Sequence, residues 1–265
     1  MRNLLCIDIG NSTIGFALFV NPLHSKSIID KIPTHPAKGP EYYKKIITAI
    51  MKRHEQAINN TAVIVSSVVP ALNAPVLKSL SLLRISKPLI VTHRTNTGLR
   101  IETISRLKLG ADRIVNAVAG FAITKKPCAV ADFGTATTIT IVGRNRNIVG
   151  GAILPGIGLM ADSLANGTAK LPQINKTKPV KALGKETRTA LLSGIIYGSA
   201  GAVETIVRKI EKELGFKLQL MTTGGNGRMM SDVINRKCTY VDDLIFQGLR
   251  RIYLKNTDNP GRLTY

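Results

Sequence analysis

The chain has no tryptophan, and phenylalanine and tyrosine together make up only 5% of its 265 residues. Its core must therefore be aliphatic, built from Ile, Val, Leu and Ala. With 44% hydrophobic and 20% charged residues the composition is globular, not disordered, and the length suffices for one large domain or two modest lobes. The opening Met-Arg-Asn leads into a strand-like run that soon meets Asp8, so a secretory signal is not expected. An uninterrupted apolar run of about 18 residues is missing too, so no membrane span is expected. Cys6, Cys128 and Cys238 lie far apart, without metal-ligand spacing, and read as reduced thiols of a cytosolic protein. No His/Cys/Glu cluster has zinc spacing. The absence of a G-x-x-x-x-G-K-[ST] run excludes a P-loop enzyme. Gly156-x-Gly158-x-x-Ala161 imitates a dinucleotide fingerprint but lacks the acid expected about 20 residues later. Acids are scarce: 16 against 37 basic residues, a net charge of +21. The cations are scattered along the chain, and their densest stretch, 170–188, holds no aromatic residue for base stacking. This argues against a dedicated nucleic-acid role; a basic proteome or an unusual intracellular milieu is the blander explanation of the excess.

What is present is a repeated architecture. Residues 4–9 and 13–20 read as two strands around a tight Gly10-Asn11 turn. A helix is expected over 41–56, a β-branched strand over 62–70, a helix over 71–83 and a short strand over 88–93. After a helix at 111–124, the strands 128–133 and 136–142 form a second strand–glycine–strand unit, with a third strand at 147–154. Asp8-Ile9-Gly10 and Asp132-Phe133-Gly134 thus occupy equivalent points of two similar units. Beyond them come a helix at 155–169, a loop at 170–184 with Pro172, Pro179 and Gly184, and a long helix at 185–214 that stops at Gly215. A strand at 217–223, helices near 227–236 and 242–255, and a polar tail with Asn259-Pro260-Gly261 complete the chain. Without a flexible linker, the two halves should pack as lobes with a cleft.

The chemistry concentrates in the two hairpins. In Asp8-Ile9-Gly10-Asn11-Ser12-Thr13 a carboxylate ends a buried strand, glycine admits close approach to the backbone, and hydroxyl and amide donors follow. Donors around a concave turn suit phosphate oxygens, and the carboxylate suits hydrated Mg²⁺. Asp132-Phe133-Gly134-Thr135-Ala136-Thr137-Thr138 repeats the recipe. Two such loops facing one another could hold a triphosphate and its metal. Gly110-Ala111-Asp112-Arg113 opens a helix; there the aspartate is either an ordinary first-turn charge or a carboxylate that accepts a proton from an attacking hydroxyl. Gly150-Gly151 through Pro155-Gly156, and Thr223-Gly224-Gly225-Asn226-Gly227, are glycine-rich connections where backbone could pack on a nucleoside or on other backbone.

Taken in order, these motifs resemble type III pantothenate kinases over nearly the whole chain. The likeness also runs through Leu164, Thr168-Ala169-x-Leu171-Pro172, Thr187, Ser193-Gly194 and Gly198. It implies an α/β fold of the two-lobed, actin-like (ribonuclease H-like) kind, with duplicated mixed β-sheet units flanked by helices and lobes at 1–112 and 113–265. It implies ATP-dependent phosphorylation of the pantothenate 4′-hydroxyl, the first committed step toward coenzyme A, by a cytoplasmic enzyme with no membrane partner. By the same resemblance Asp112 is the general base, and Gly110, Ala111, Asp112 and Arg113 hold pantothenate, with Arg113 opposite its carboxylate. Asp8, Ile9, Gly10, Asn11, Ser12, Thr13, Ile14, Gly15 and Thr135 bind ATP, with Asp8 serving Mg²⁺. Asp132 ligates a monovalent cation, K⁺ or NH₄⁺. Thr187 touches substrate across a homodimer interface that includes the long helix, whose Ile195, Ile196, Ala200, Val203, Ile206 and Val207 offer apolar faces.

One departure stands out. Where the family carries a Tyr-x-x-Pro-like segment before Gly-Ala-Asp-Arg, this chain reads Glu102-Thr103-Ile104-Ser105-Arg106, leaving one aromatic wall of the acceptor site unaccounted for. Two other readings stay open at this level: a different actin-like small-molecule kinase, or a non-catalytic regulatory paralogue that binds nucleic acid.

Overall fold

The computed structural model describes residues 2–24, 27–85, 87–103, 105–174 and 181–257. Pro179, Ile104, the Arg106 side chain and the Asn259-Pro260-Gly261 tail, all singled out above, lie outside the described residues. The chain divides into two compact units: Met1–Ala119 together with Ile245–Tyr265, and Gly120–Leu244.

The first unit is built on a five-stranded sheet of order β3-β2-β1-β4-β5. Its strands are β1 (Asn3–Ile9), β2 (Thr13–Phe19), β3 (Ile28–Pro33), β4 (Thr61–Ser67) and β5 (Leu89–Ile90). The first three form an antiparallel meander, and β4 joins β1 in parallel, with Asp8 in register with both Gly15 and Ser66. Alternation along β1 divides its side chains between two covered faces. Leu5, Ile7 and Ile9 face a cluster with Tyr43, Ile47, Leu72 and Val76 of helices α1 (Pro40–Arg53) and α2 (Pro70–Leu82). Both helices start on proline, whose missing N–H costs nothing in a first turn.

The opposite face receives the last helix of the chain. A Cβ on Gly15 would stand 2.7 Å from Phe246 Cζ, and one on Gly248 would collide with the Val115 carbonyl. Arg250, nearly fully buried, lies over the Phe19 ring at 5.8 Å and donates to the Pro22 carbonyl at 2.9 Å. Residues 245–257 therefore join the first unit, where the sequence reading gave everything after 112 to the second lobe.

Within the first unit, β6 (Arg100–Ile101) is a two-residue strand, and α3 (Ala111–Thr124) begins at the Gly-Ala-Asp-Arg motif. The second unit repeats the plan with β7 (Cys128–Phe133), β8 (Ala136–Val142), β9 (Asn147–Pro155), β10 (Gln219–Thr223) and β11 (Cys238–Tyr240), ordered β9-β8-β7-β10-β11. Again two antiparallel pairings are followed by two parallel ones. The expected duplication is thus an identity of strand order and direction. Of the strands, β3, β6 and β11 have no counterpart in the sequence reading. Gly120 lets α3 approach β7, since a Cβ there would stand 2.5 Å from Val130 Cγ2.

The other face carries α4 (Ile157–Gly167), α5 (Thr187–Leu214) and α6 (Gly227–Val233). The last helix, α7 (Leu244–Asn256), is the one packed in the first unit. α5 stops at Gly215, left-handed at φ 71°. An 18-residue window of α5 has a mean hydropathy of 1.5 and the length of a membrane span, although polar residues interrupt it. Its buried residues nevertheless recur three and four apart, from Leu192 through Ile196 and Val203 to Val207, as on a helix packed along one side. Ile195, Ile196, Ala200, Val203 and Val207, the apolar face assigned above to a partner subunit, belong to the unit's own core, with Ile206 packed against it. All three cysteines are free, as expected, and burial pushes the Cys128 thiol up to about 12.

Candidate active site

In the first unit the β1–β2 hairpin is held from several directions. Gly10 N–H donates to the Thr13 carbonyl at 3.0 Å and closes the turn. A Cβ on Gly10 would stand 3.1 Å from that same oxygen, which favours glycine there. Thr34, fully buried just beyond β3, donates its N–H to the Ser12 carbonyl at 3.0 Å and its hydroxyl to the Gly10 carbonyl at 2.7 Å. Val68 N–H donates to the Ile9 carbonyl at 3.0 Å. With those carbonyls engaged from behind, the exposed Asn11, Ser12 and Thr13 project at the surface, while Asp8 is half-buried and Ile14 is buried. Ser66, beside Asp8 in the sheet, is fully buried and its hydroxyl has no protein partner. The sequence reading missed Thr34, Val68 and Ser66, because each acts through a strand pairing or backbone contact that has no local signature.

The Gly110–Arg113 motif joins this neighbourhood. A Cβ on Gly110 would collide with Asp112 Oδ1 and stand 3.6 Å from Val68 Cγ1, the residue bonded to Ile9. The Gly110–Arg113 motif and the β1–β2 hairpin therefore converge on Val68. Asp112, in the first turn of α3, accepts the Arg113 N–H at 2.8 Å. Burial pushes its carboxyl above the ordinary aspartate range, against the Arg113 N–H and guanidinium, which pull the other way. Burial also lowers Arg113, and the Asp112 charge opposes that shift. A half-buried carboxylate with a raised pKa beside a cation is a base of above-ordinary strength.

In the second unit the Asp132–Thr137 hairpin rests on the two glycine-rich connections. Gly156 N–H donates to the Thr135 carbonyl at 3.1 Å, and a Cβ on Gly156 would collide with that oxygen. Asn226 N–H donates to the Phe133 carbonyl at 3.1 Å. Gly224, at φ 88°, lies so close to Asp132 that a Cβ would overlap its Oδ1. These glycine-rich connections pack backbone on backbone beneath the loop. Asp132 is half-buried and Thr135 exposed. Thr187, at the start of α5, lines an apolar cavity of about 770 Å³ together with Pro155, Met160, Leu164, Leu171 and Ile195, and Pro155 pairs with Ala136 of this hairpin. Among the described residues no group of three or more His, Cys, Asp or Glu side chains could hold a metal by itself. A magnesium ion carried mainly by phosphates and water needs only one or two carboxylates, and Asp8 fits that demand.

Two copies of one sheet unit, each ending its central strand in an Asp-x-Gly hairpin followed by hydroxyls, define the actin-like ATPase and sugar-kinase fold. In this chain the fold carries the half-buried carboxylate of Asp112 at the start of α3. Solved structures agree on the fold: a Campylobacter jejuni protein named for the Baf family of transcriptional activators (TM-score 0.60, 23% identity, 95% of this chain and 98% of that one). The ethanolamine utilization protein EutJ of Carboxydothermus hydrogenoformans is a second (TM-score 0.56, 12% identity, 96% and 90% covered). The sequence signature of type III pantothenate kinases matches residues 4–209. The type III pantothenate kinase of Brevibacillus brevis is 38% identical over 258 residues, 96% of this chain and 99% of its own. That of Agathobacter rectalis is 34% identical over 254 residues, 95% and 97% covered. The chain belongs to the type III pantothenate kinase family.

Proposed function

We propose that this chain transfers the γ-phosphoryl group of ATP to the 4′-hydroxyl of pantothenate, the entry to coenzyme A synthesis, as a cytoplasmic homodimer. The observation that carries the reading is Asp112: a carboxylate raised by burial, on a motif that meets the phosphate hairpin at Val68. Asp112 takes the proton from the attacking hydroxyl, and Arg113 binds the acceptor carboxylate through its planar fork. The Asp8–Gly15 hairpin and Thr135 supply donors to ATP phosphates. Asp8 would hold Mg²⁺, which neutralises charge on the phosphates, and Asp132 would hold K⁺ or NH₄⁺. Positioning and electrostatics do most of the work in such a transfer.

With α5's apolar stripe taken up by its own unit, we assign the dimer contact to the rim of the apolar cavity. There Leu164, which lines the cavity, is exposed, and Thr187 would reach a neighbouring subunit's substrate. The test is ADP release on mixing the protein with ATP and pantothenate, with and without K⁺, beside a panel of sugars. Pantothenate-dependent release that K⁺ enhances is the expected result. Release with a sugar and none with pantothenate would overturn the assignment.

A further inference from the structure

The scattered cations of the sequence are gathered by the fold of the second unit. Its strand register brings the starts of β7, β10 and β11 to one end, together with the β8–β9 turn: Cys128 pairs with Val142 and Gln219, and Leu220 pairs with Cys238. The connections at this end carry Lys125 and Lys126, Arg144 and Arg146, Lys217, and Lys237, all exposed. The Arg144 guanidinium lies 4.5 Å above the Phe216 ring and that of Arg146 5.9 Å above Phe121. The nearby acids are fewer. Glu211 is buried and held by Arg236 and Lys217, Glu204 accepts the Asn235 N–H, and Glu213 and Asp232 are exposed.

We infer that this end of the second unit binds the phosphate backbone of a nucleic acid. Lysines after a helix can be explained as complements to its C-terminal dipole. Arg144 and Arg146 sit on a hairpin turn and have no such explanation. Five strands at about 4.8 Å spacing make this end about 19 Å wide, too broad for one small anion and suited to a row of phosphates. Arginine forks held over rings match phosphate oxygens. Of the exposed large hydrophobics, Ile123 is the one in the α3–β7 region, so an apolar wedge for a lipid surface is lacking among the described residues. This end also lies away from Asp132, about 13 Å along β7 from Cys128, so binding here need not touch the phosphate loop.

The test titrates the full-length protein into labelled single-stranded RNA and duplex DNA of about 20 units, and into anionic phospholipid vesicles, across about 50–200 mM salt. One triple variant carries Arg144→Ser, Arg146→Ser and Lys237→Ser. A second of equal charge carries Lys31→Ser, Lys45→Ser and Lys78→Ser in the first unit. The expected result is salt-sensitive binding to RNA or DNA that the first variant weakens about tenfold or more, with its log–log salt slope reduced by about 2. The second variant binds like the parent, and both keep kinase turnover, so failure here leaves the kinase assignment standing. Equal losses in the two variants, binding to vesicles alone, or no salt-dependent binding would each overturn the inference.

Discussion

At the residue scale, burial sets Asp112 apart from an ordinary first-turn aspartate. In the sequence it is equally a first-turn charge; in the structure burial raises its carboxyl above the ordinary aspartate range, against the pull of Arg113. A carboxyl whose folded pKa is raised costs stability at neutral pH, and that cost fades as pH falls through its folded value. Asp112→Asn should therefore melt no lower than the parent at pH 7 while turnover drops by roughly 10²–10⁴. Calorimetry and ADP release on one preparation check both halves. The acidic limb of the parent's pH–rate profile should lie above the ordinary aspartate range of about 4. Arg113→Ala should move it higher still, by removing a cation that lowers Asp112. Gly224 is the matching case in the second unit. A side chain there adds left-handed strain of about 1–2 kcal/mol and displaces Asp132. Gly224→Ala is expected to lower the melting temperature and blunt K⁺ activation, measured as the ratio of rates with and without K⁺.

At the element scale, the hairpins and long helices were legible because their signals are local. Glycine turns bracket β1–β2 and β7–β8, and apolar residues recur at helical spacing in α1, α3 and α5. β3 was not legible: its alternating half-buried and exposed residues lack a fully buried face, and pairing with β2 is what orders it. β11 is three residues long and owes its form to β10. The purpose of α5's apolar stripe was misread because periodicity shows that a face is covered, not by what. One tie between elements was also invisible. Glu211 near the end of α5 accepts the Leu218 N–H at 2.7 Å and pairs with Lys217 and Arg236, which also donates to the Leu218 carbonyl. Burial alone would raise its carboxyl, yet Arg236, the Leu218 N–H and Lys217 together hold it at about 2. A depressed carboxyl contributes stability above its unfolded pKa of about 4.3, lost as pH falls toward 2. Glu211→Ala takes the carboxylate from Arg236 and the acceptor from the Leu218 N–H, and should cost about 3–5 kcal/mol. Urea unfolding at pH 7 measures it, and at pH 2 the difference between variant and parent should shrink.

At the scale of the whole molecule, the duplicated plan was legible and the division of the chain was not. The two Asp-x-Gly hairpins mark equivalent strand ends, and the register bears that out. Nothing in the pattern of residues 242–255 says which sheet the last helix covers. That is decided by Gly15 and Gly248, whose missing side chains make room for Phe246 and for the α3 backbone. A chain cut after Leu244 should lose the first unit, not merely a tail, because buried Phe246, Leu249 and Ile252 go with it. The truncated protein should then show loss of cooperative unfolding in that half by hydrogen exchange, with exchange in β7–β10 less affected.

The same return of the C-terminus reaches back to synthesis on the ribosome. Residues 2–119 emerge first but cannot complete their packing until Phe246 follows, well over a hundred residues later. The middle of the chain, whose sheet and helices are contiguous in sequence, can close while translation continues. The half that bears Asp8 and Asp112 is the one that must wait, so a ribosome that stalls before α7 leaves the proposed catalytic carboxylate on an unfinished scaffold.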